Sequence, residues 1–234
     1  MSTFHKLIAN VKTALERAPR PAAPGHAADG GAAMPVAGDL RRTELIAQFA
    51  RELAAVGGVF LGALTADQAR LRIVALAREL GAKAAACGAG VTIDLAPIAR
   101  ALEQAGVAIT RADRKSVADR AAYRDRLAHA DLGIVEAHAA IAATGTLAVV
   151  GAADRPNSLT LLPPANLILV HADRVMPDLA AAVAALGTAT FVTNRVALIT
   201  GPSRTADIEK MIVLGVHGPK QLYAIAVWPA EGAR

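Results

Sequence analysis

Several short segments of the 234-residue chain are almost entirely apolar, and segments with helical periodicity separate them. A strand that is apolar on both faces must be covered on both sides, which is typical of parallel strands between layers of helices. The sequence therefore predicts an α/β fold, with a mainly parallel sheet and helices on both faces. The apolar segments are residues 59–64 (VFLGAL), 132–137 (LGIVEA), 146–152 (TLAVVGA), 166–172 (NLILVHA) and 196–201 (VALITG).

Helix boundaries are marked by capping residues. Thr65 followed by Gln68 forms a capping-box pattern, and Gly81 stands where a helix C′ residue is expected. A helix is therefore predicted between Thr65 and Gly81. Further helices are predicted at residues 40–58, with Asp39 as N-cap, at 94–106 and at 113–129.

The first 38 residues differ in composition from the rest. Residues 3–18 have an apolar helical stripe, whereas residues 19–38 are rich in Pro, Gly and Ala and have no periodicity. We therefore predict an N-terminal helical arm and linker (residues 1–38) and a folded domain (residues 39–234). The arm can pack on its own domain or on a second copy of the chain, which leaves a homo-oligomer open.

Composition narrows the classes of function. The single cysteine, Cys87, cannot hold an iron–sulfur cluster or a cysteine-rich zinc site, so we predict no metal site and no cofactor in this chain. The net charge of +5 comes with only 3% aromatic residues, which leaves few rings for base stacking and argues against nucleic-acid binding. Neither a signal peptide nor a membrane span is evident, so a cytoplasmic protein is expected.

Ligands of open parallel sheets bind beyond the carboxyl ends of the strands, and this rule selects three loops. The first follows residues 132–137 and brings Glu136 and His138. The second follows residues 146–152 and includes Arg155 and Ser158. These polar side chains are predicted to line a ligand-binding edge.

The third loop contains Ser203, Arg204 and Thr205 and precedes a predicted helix at about residues 205–214. Free amides at a helix start, two hydroxyls and a guanidinium can together hold a carboxylate or a phosphate. The alternative is that a hydroxyl only caps the helix while Arg204 lies in solvent. On these residues alone both interpretations stay open, and only the family resemblance given below favours the anion site.

Polar residues also follow this loop. Asp207 and Glu209 are two residues apart, which places them about 200° apart around a helix, so they cannot share one substrate atom. His217 and Gly218 belong to a His-Gly-Pro turn that lies beyond the predicted helix. These residues either anchor the turn or form a second site.

The segment Thr144-Gly145-Thr146 is a further polar insertion between apolar segments. Gly145 permits an unusual backbone angle and a close approach of a ligand, and the threonines supply hydroxyls. We therefore include all three among the candidate ligand-binding residues.

Taken together, several motifs of the chain resemble the lactate-utilization protein C family, the LutC/YkgG group built on the LUD domain. They are GI (133–134), IAATGT (141–146), SLTLLPP (158–164), GPSRTADIE (201–209) and GVHGP (215–219). The resemblance implies a fold like that of NagB, RpiA and the CoA-transferases. It also implies a part in the oxidation of L-lactate to pyruvate, with two partner proteins that carry the iron–sulfur clusters. An accessory subunit that binds a small anion is therefore expected.

By analogy with enzymes of that fold, Glu136–His138 and Thr144–Thr146 would flank one cleft, with Glu136 as a catalytic base. The family usually has Glu before TGT, where this chain has Ala143, which puts catalysis by the chain itself in doubt. Two alternatives stay open. One is a stand-alone enzyme of the isomerase or acyl-transferase type that acts on a small phosphorylated or carboxylate substrate. The other is a purely structural partner with a vestigial cleft.

Overall fold

The computed structural model describes residues 37–111, 120–187, 195–205, 213–214 and 218–229. The predicted helical arm and linker lie almost wholly outside these residues, so that division of the chain stays a prediction. None of the described helices is long and apolar enough to cross a membrane. The helices and short 3₁₀ segments are α1 (Ala37–Ala55), α2 (Ala66–Glu79), α3 (Ala96–Gln104), α4 (Arg120–Ala128), η1 (Asn157–Thr160), η2 (Ala172–Arg174) and α5 (Leu179–Leu186).

In the part of the chain that the structure describes, the main sheet has six strands in the order β1-β12-β7-β4-β2-β3, and every neighbouring pair is parallel. This arrangement confirms the predicted α/β class and the mainly parallel sheet. The strands of this sheet are β1 (Val59–Leu64), β2 (Ala84–Cys87), β3 (Ala108–Arg111), β4 (Leu132–Ala137), β7 (Ala165–His171) and β12 (Gln221–Val227).

Among the described residues, a second sheet has four strands in the order β8-β5-β6-β9. Two segments predicted as parallel strands, 146–152 and 196–201, form β6 and β9 of this sheet and pair antiparallel to each other. That part of the prediction was wrong, because apolar composition reports burial rather than strand direction. The strands are β5 (Ala139–Ile141), β6 (Thr146–Val150), β8 (Val175–Met176) and β9 (Val196–Ile199).

The two faces of the main sheet pack against different layers, as β4 illustrates. Leu132 and Ile134 face a buried cluster that includes residues of α2 and α3. The alternate residues Val135 and Ala137 face the opposite cluster, which includes Phe49 of α1. Burying one large apolar side chain contributes about 1.5–3 kcal/mol. The alternation of side chains along each strand therefore explains why helices cover both faces.

The capping residues predicted for α2 are confirmed, whereas the one predicted for α1 is not. The capping box of α2 is formed, with Thr65 and Gln68 each accepting from the other's backbone amide, and Gly81 follows the helix at φ +62°. Both predictions are confirmed. Helix α1 instead begins at Ala37, so Asp39 lies inside the helix and not at its N-cap. The helix thus begins three residues before the predicted start at Leu40, and the ends of helices are their least sharply defined parts.

The predicted helix at about 205–214 is not found at its two ends. Arg204–Thr205 form β10 and Val213–Leu214 form β11, and these strands pair antiparallel. In a short segment, the spacing of apolar residues fits either a helix or paired strands. The spacing therefore did not distinguish the two, and the prediction of a helix was wrong at both described ends. Asp207, Glu209 and His217 lie outside the described residues, and their roles stay predictions.

Candidate functional site

A cleft of about 210 Å³ opens at the carboxyl ends of the central strands of the main sheet. Strands β7, β4 and β2 are neighbours in that sheet and run parallel, so the segments that follow them meet at one edge. This is the edge where ligands of open α/β sheets bind. The cleft is lined by Val91, Thr92, Glu136, Ala137, His138, Arg174, Ala185 and Leu186.

Glu136 lies near the end of β4 and is 1% exposed. Its carboxylate accepts from the amides of Val91 (2.6 Å), Thr92 (3.0 Å) and Ile93 (2.9 Å). The Thr92 hydroxyl also donates to it, with 2.6 Å between the two oxygens. These bonds satisfy a buried charge and fix the 90–93 turn against the sheet. They occupy the oxygens that a catalytic base needs, so the geometry favours a positioning role.

The 90–93 turn is also tight. A Cβ at Gly90 would lie only 1.7 Å from the carbonyl oxygen of Ile93, so no other residue fits there without a change of backbone. The carbonyl of Gly90 accepts from Nη1 of Arg155 at 3.2 Å, and Asp154 lies 3.7 Å from the same nitrogen. Arg155 is therefore held beside the cleft by the turn that Glu136 organises.

His138 follows β4 directly and lines the cleft, half-buried. The pKa of His138 is lowered from 6.5 to about 4, mainly by burial and then by the positive charges of Arg155 and Arg174, while the negative charge of Glu136 acts in the opposite direction. The ring is therefore neutral near pH 7. Its Nδ1 accepts from the amide of Val150 at 3.3 Å, which leaves the proton on Nε2 as a donor.

The electrostatic character of the edge follows from these contacts. Arg174 comes from η2, the short helix after β7, and lines the cleft with an exposed side chain. Arg155 adds a second guanidinium whose charge acts on His138. The carboxylate of Glu136 is already bonded to the 91–93 segment. This arrangement can attract a small anion and offers it a guanidinium and a neutral imidazole.

The Thr-Gly-Thr segment does not lie in this cleft. It forms the turn between β5 and β6, whereas His138 lies at the other end of the same two strands, where its amide bonds to Ala148. Three residues of strand, about 10 Å, separate the two ends. The expectation that Glu136–His138 and Thr144–Thr146 flank one cleft was wrong. Fold analogy did not reveal that the chain turns away into the second sheet at His138.

The threonines of that turn instead form a chain of hydroxyls. Thr144 and Thr146 are 2.7 Å apart at their Oγ1 atoms, and Thr146 is 2.7 Å from Thr200. Gly145 has φ +62°, and a Cβ there would lie 2.3 Å from the backbone nitrogen of Leu53 in α1. The unusual angle predicted for Gly145 is confirmed, but the close neighbour is helix backbone.

The loop after β9 packs on the same end of α1. Arg204 donates from Nη2 to the carbonyl of Val56 at 2.6 Å. The amide of Ser203 bonds to the carbonyl of Pro219 at 2.9 Å, and Gly218 packs beside the Ser203 side chain. Arg204 and Thr205 are in a strand, so no helix begins within the described residues 203–205, where the anion site was expected. Ligand binding by these residues stays a prediction without that support.

Ser158 lies in η1 and leaves the sheet edge. The next residue, Leu159, is fully buried, and its carbonyl would lie 2.4 Å from a Cβ at Gly133. Gly133 is near the start of β4, so η1 packs over the sheet rather than at the cleft. Neither Ser158 nor Arg155 is among the residues that line the cleft, although Arg155 donates to the carbonyl of Gly90, next to the lining residue Val91.

Sequence reasoning missed part of the cleft lining, namely Val91, Thr92, Arg174, Ala185 and Leu186. The sheet-edge rule itself would have found two segments, because CGAGVT follows β2 and ADR follows β7. For Ala185 and Leu186 the sequence carries no signal, since only the folding of the second sheet brings α5 to this edge.

The sequence matches one family model and several known bacterial proteins. The model of the LUD domain family matches residues 46–227. YkgG of Escherichia coli is 28% identical over 190 residues, which cover 79% of each chain. A lactate utilization protein C of Bacillus licheniformis is 29% identical over 106 residues, 44% of each chain. Protein NMB1437 of Neisseria meningitidis is 37% identical over 101 residues, 42% of this chain and 43% of the relative.

The alignments to the Neisseria and Bacillus proteins thus span less than half of the length of those relatives. A crystal structure of a DUF162 family protein from Deinococcus radiodurans has the same fold, with a TM-score of 0.55. It is 22% identical, and the match covers 80% of this chain and 98% of that protein. At this identity the likeness supports the fold alone.

Proposed function

Because the chain belongs to the LUD domain family, we propose that it works in lactate utilization as a subunit that binds a small carboxylate. A role in lactate utilization is supported by the name of the Bacillus licheniformis relative, which is a lactate utilization protein C. The cleft at the sheet edge supports a small carboxylate as the ligand. Lactate and pyruvate each carry one carboxylate and a neighbouring oxygen.

The observation that carries the proposal is the set of charges around His138. Arg174 lines the cleft, and the charges of Arg155 and Arg174 both act on the imidazole. A carboxylate in the cleft can bind the guanidinium of Arg174 through charge-assisted bonds. The neutral ring of His138 can donate from Nε2 to the hydroxyl or keto oxygen of the ligand.

The proposed oxidation of L-lactate requires an electron acceptor, and we propose that partner proteins provide it. Oxidation of L-lactate to pyruvate releases two electrons and two protons, which an acceptor must take up. The chain has a single thiol, Cys87, and a cluster needs several thiolates. We therefore place the iron–sulfur clusters in partner proteins, with this chain as the accessory subunit.

The alternative of a stand-alone isomerase or acyl-transferase is weaker. It requires Glu136 as a free base, and this carboxylate is bonded to three amides and a hydroxyl. Ala143, which stands where the family usually has Glu, lies in the turn between β5 and β6 and not in the cleft lining. The unusual alanine therefore does not weaken the proposed carboxylate site.

The proposal is tested by calorimetric titration of the full chain with L-lactate and with pyruvate. We expect binding to the unchanged protein and at least a tenfold loss for Arg174→Ala, because a hydrogen bond to a charged group is worth about 1.5–3 kcal/mol. Arg78→Ala, an exposed arginine of α2 outside the cleft lining, is the matched control. If neither acid binds, or if Arg174→Ala binds as well as the control, the carboxylate proposal fails.

Turnover separates the accessory subunit from an enzyme. The chain alone should not reduce a dye acceptor with L-lactate, whereas addition of the iron–sulfur partners should start the reaction. Turnover by the isolated chain would contradict the accessory role. If no carboxylate binds and turnover with partners survives Arg174→Ala, a purely structural partner is the better account.

A further inference from the structure

The lining of the cleft divides into a polar part and an apolar part. Thr92, Glu136, His138 and Arg174 are polar, whereas Val91, Ala137, Ala185 and Leu186 are apolar. We infer that the last turn of α5, through Ala185 and Leu186, determines how long an aliphatic tail the bound carboxylate can carry. This inference rests on the proposed carboxylate function and specifies its substrate class as 2-hydroxy or 2-oxo acids with a short aliphatic tail.

The size of the cleft limits the ligand. Sites for drug-sized ligands usually enclose about 300–1,000 Å³, and this cleft encloses about 210 Å³. A nucleotide or a whole CoA thioester is too large for it. An acid of a few carbon atoms fits, provided that its charged end meets Arg174 and its tail meets the apolar part.

Helix α5 is held firmly enough to act as a wall. Asp178 caps its start by accepting from the amide of Ala181 at 2.8 Å, and Gly187 ends it at φ +73°. The helix buries Ala182 against β5 and β6, and Leu186 packs at the margin of the same cluster. The position of the last turn is therefore fixed by the second sheet and does not depend on a ligand.

The cleft has a further apolar lining residue outside α5. Val91 lines the cleft and is 40% exposed. Its backbone is fixed by the bond from its amide to Glu136. The backbone of Val91 and that of the last turn of α5 are thus both held in place by hydrogen bonds or packing. An apolar surface that cannot move discriminates between aliphatic tails by their size. In such a pocket one methylene more or less changes affinity roughly 10–200-fold.

The test is a titration series with L-lactate, L-2-hydroxybutyrate and L-2-hydroxyisocaproate against the full chain. We expect the affinity of the unchanged protein to fall at least tenfold from L-lactate to L-2-hydroxyisocaproate. Leu186→Ala should relax this loss to less than about threefold. Ala185→Leu should weaken L-2-hydroxybutyrate at least tenfold more than L-lactate.

Controls keep the two proposals apart. Ala185 is exposed and leucine is a good helix former, so Ala185→Leu should fold even if Leu186→Ala does not. Ala184→Leu changes the neighbouring exposed position outside the lining and should leave the series unchanged. If L-lactate binds through Arg174 but Ala185→Leu matches Ala184→Leu, the tail assignment is overturned and the carboxylate function stands. If no acid of the series binds, both are overturned.

Discussion

Arg204 and Val56 are joined by a 2.6 Å hydrogen bond from the guanidinium Nη2 to the carbonyl oxygen, across a sequence separation of 148 residues. Val56 directly follows the last residue of α1, where the final carbonyls of a helix lack amide partners. A cation at this end of a helix is also favoured by the helix dipole. The arginine that the sequence marks as an anion ligand therefore satisfies the carboxyl end of a distant helix.

Arg204→Ala should lower the free energy of unfolding by about 1 kcal/mol, because one exposed charge-assisted bond at a helix end is lost. Affinity for carboxylates should not change, since Arg204 is not part of the cleft lining. Urea denaturation and calorimetric titration measure the two effects. Unchanged stability together with lost binding would restore the anion site expected at residues 203–205.

Gly145→Ala should be more destabilising than Gly81→Ala. Both glycines have φ +62°, so each substitution carries the same backbone strain of about 1–2 kcal/mol. A Cβ at Gly81 meets nothing within 4 Å, whereas one at Gly145 would lie 2.3 Å from Leu53 N. The difference, about 1–3 kcal/mol by thermal or urea unfolding, measures how closely the turn packs on α1. Equal losses would mean that the turn can move away from the helix.

The folded protein should lose stability as the pH falls from about 6.5 to about 4, in part through His138. The pKa of His138 is lowered from 6.5 to about 4, so the unfolded chain binds a proton there at a pH where the folded protein does not. His138→Gln should therefore show a shallower loss between pH 6.5 and 5, measured by urea unfolding. Parallel curves would show that the ring is not shielded in the folded protein.

The groups that face His138 give a second test of its pKa. Arg155 and Arg174 lower it and Glu136 raises it, after burial as the largest cause. Replacing Arg155 with Gln should therefore raise the pKa of His138, as followed by NMR titration of the ring. A fall in the pKa would contradict the placement of Arg155 near the imidazole.

Glu136→Gln should destabilise the fold by about 2 kcal/mol or more. Bonds to a charged acceptor are worth about 1.5–3 kcal/mol each, and a glutamine amide would turn an NH₂ group toward the amides of residues 91–93. Faster hydrogen exchange of those amides should accompany the loss. Thr92→Val, which removes one donor only, is the milder comparison. Full stability of Glu136→Gln would leave the carboxylate available as a base.

Most signals that act within one turn of chain were read correctly from the sequence, although Asp39 was wrongly assigned as an N-cap. The capping box of Thr65 and Gln68 and the positive φ of Gly81 and Gly145 depend on local geometry, and each was predicted. The direction of strands was not predictable in the same way. Residues 196–199 have the composition of a parallel strand and yet pair antiparallel with β6.

The candidate site was predicted in outline only. The sheet-edge rule located Glu136 and His138 because both lie at the end of β4, a strand of the parallel sheet. Arg155 was selected by the same rule, but it follows β6 of the second sheet, where the rule does not apply. The rule could not reveal that Glu136 would be bonded to residues 91–93, since that contact joins positions 43–45 residues apart. Arg174 was missed because the rule was not applied to the segment after β7.

The position of β12 between β1 and β7 has a consequence for how the chain reaches this fold. Val59 in β1 pairs with Tyr223 in β12, so β1 has no partner in the main sheet until residues 221–227 are in place. A ribosome-bound chain that ends before β12 would leave the facing backbone edges of β1 and β7 unpaired. Closure of so long a loop also slows folding, since ordering the chain precedes the gain from the contacts. Newly made protein should therefore depend on chaperones until synthesis has passed this strand.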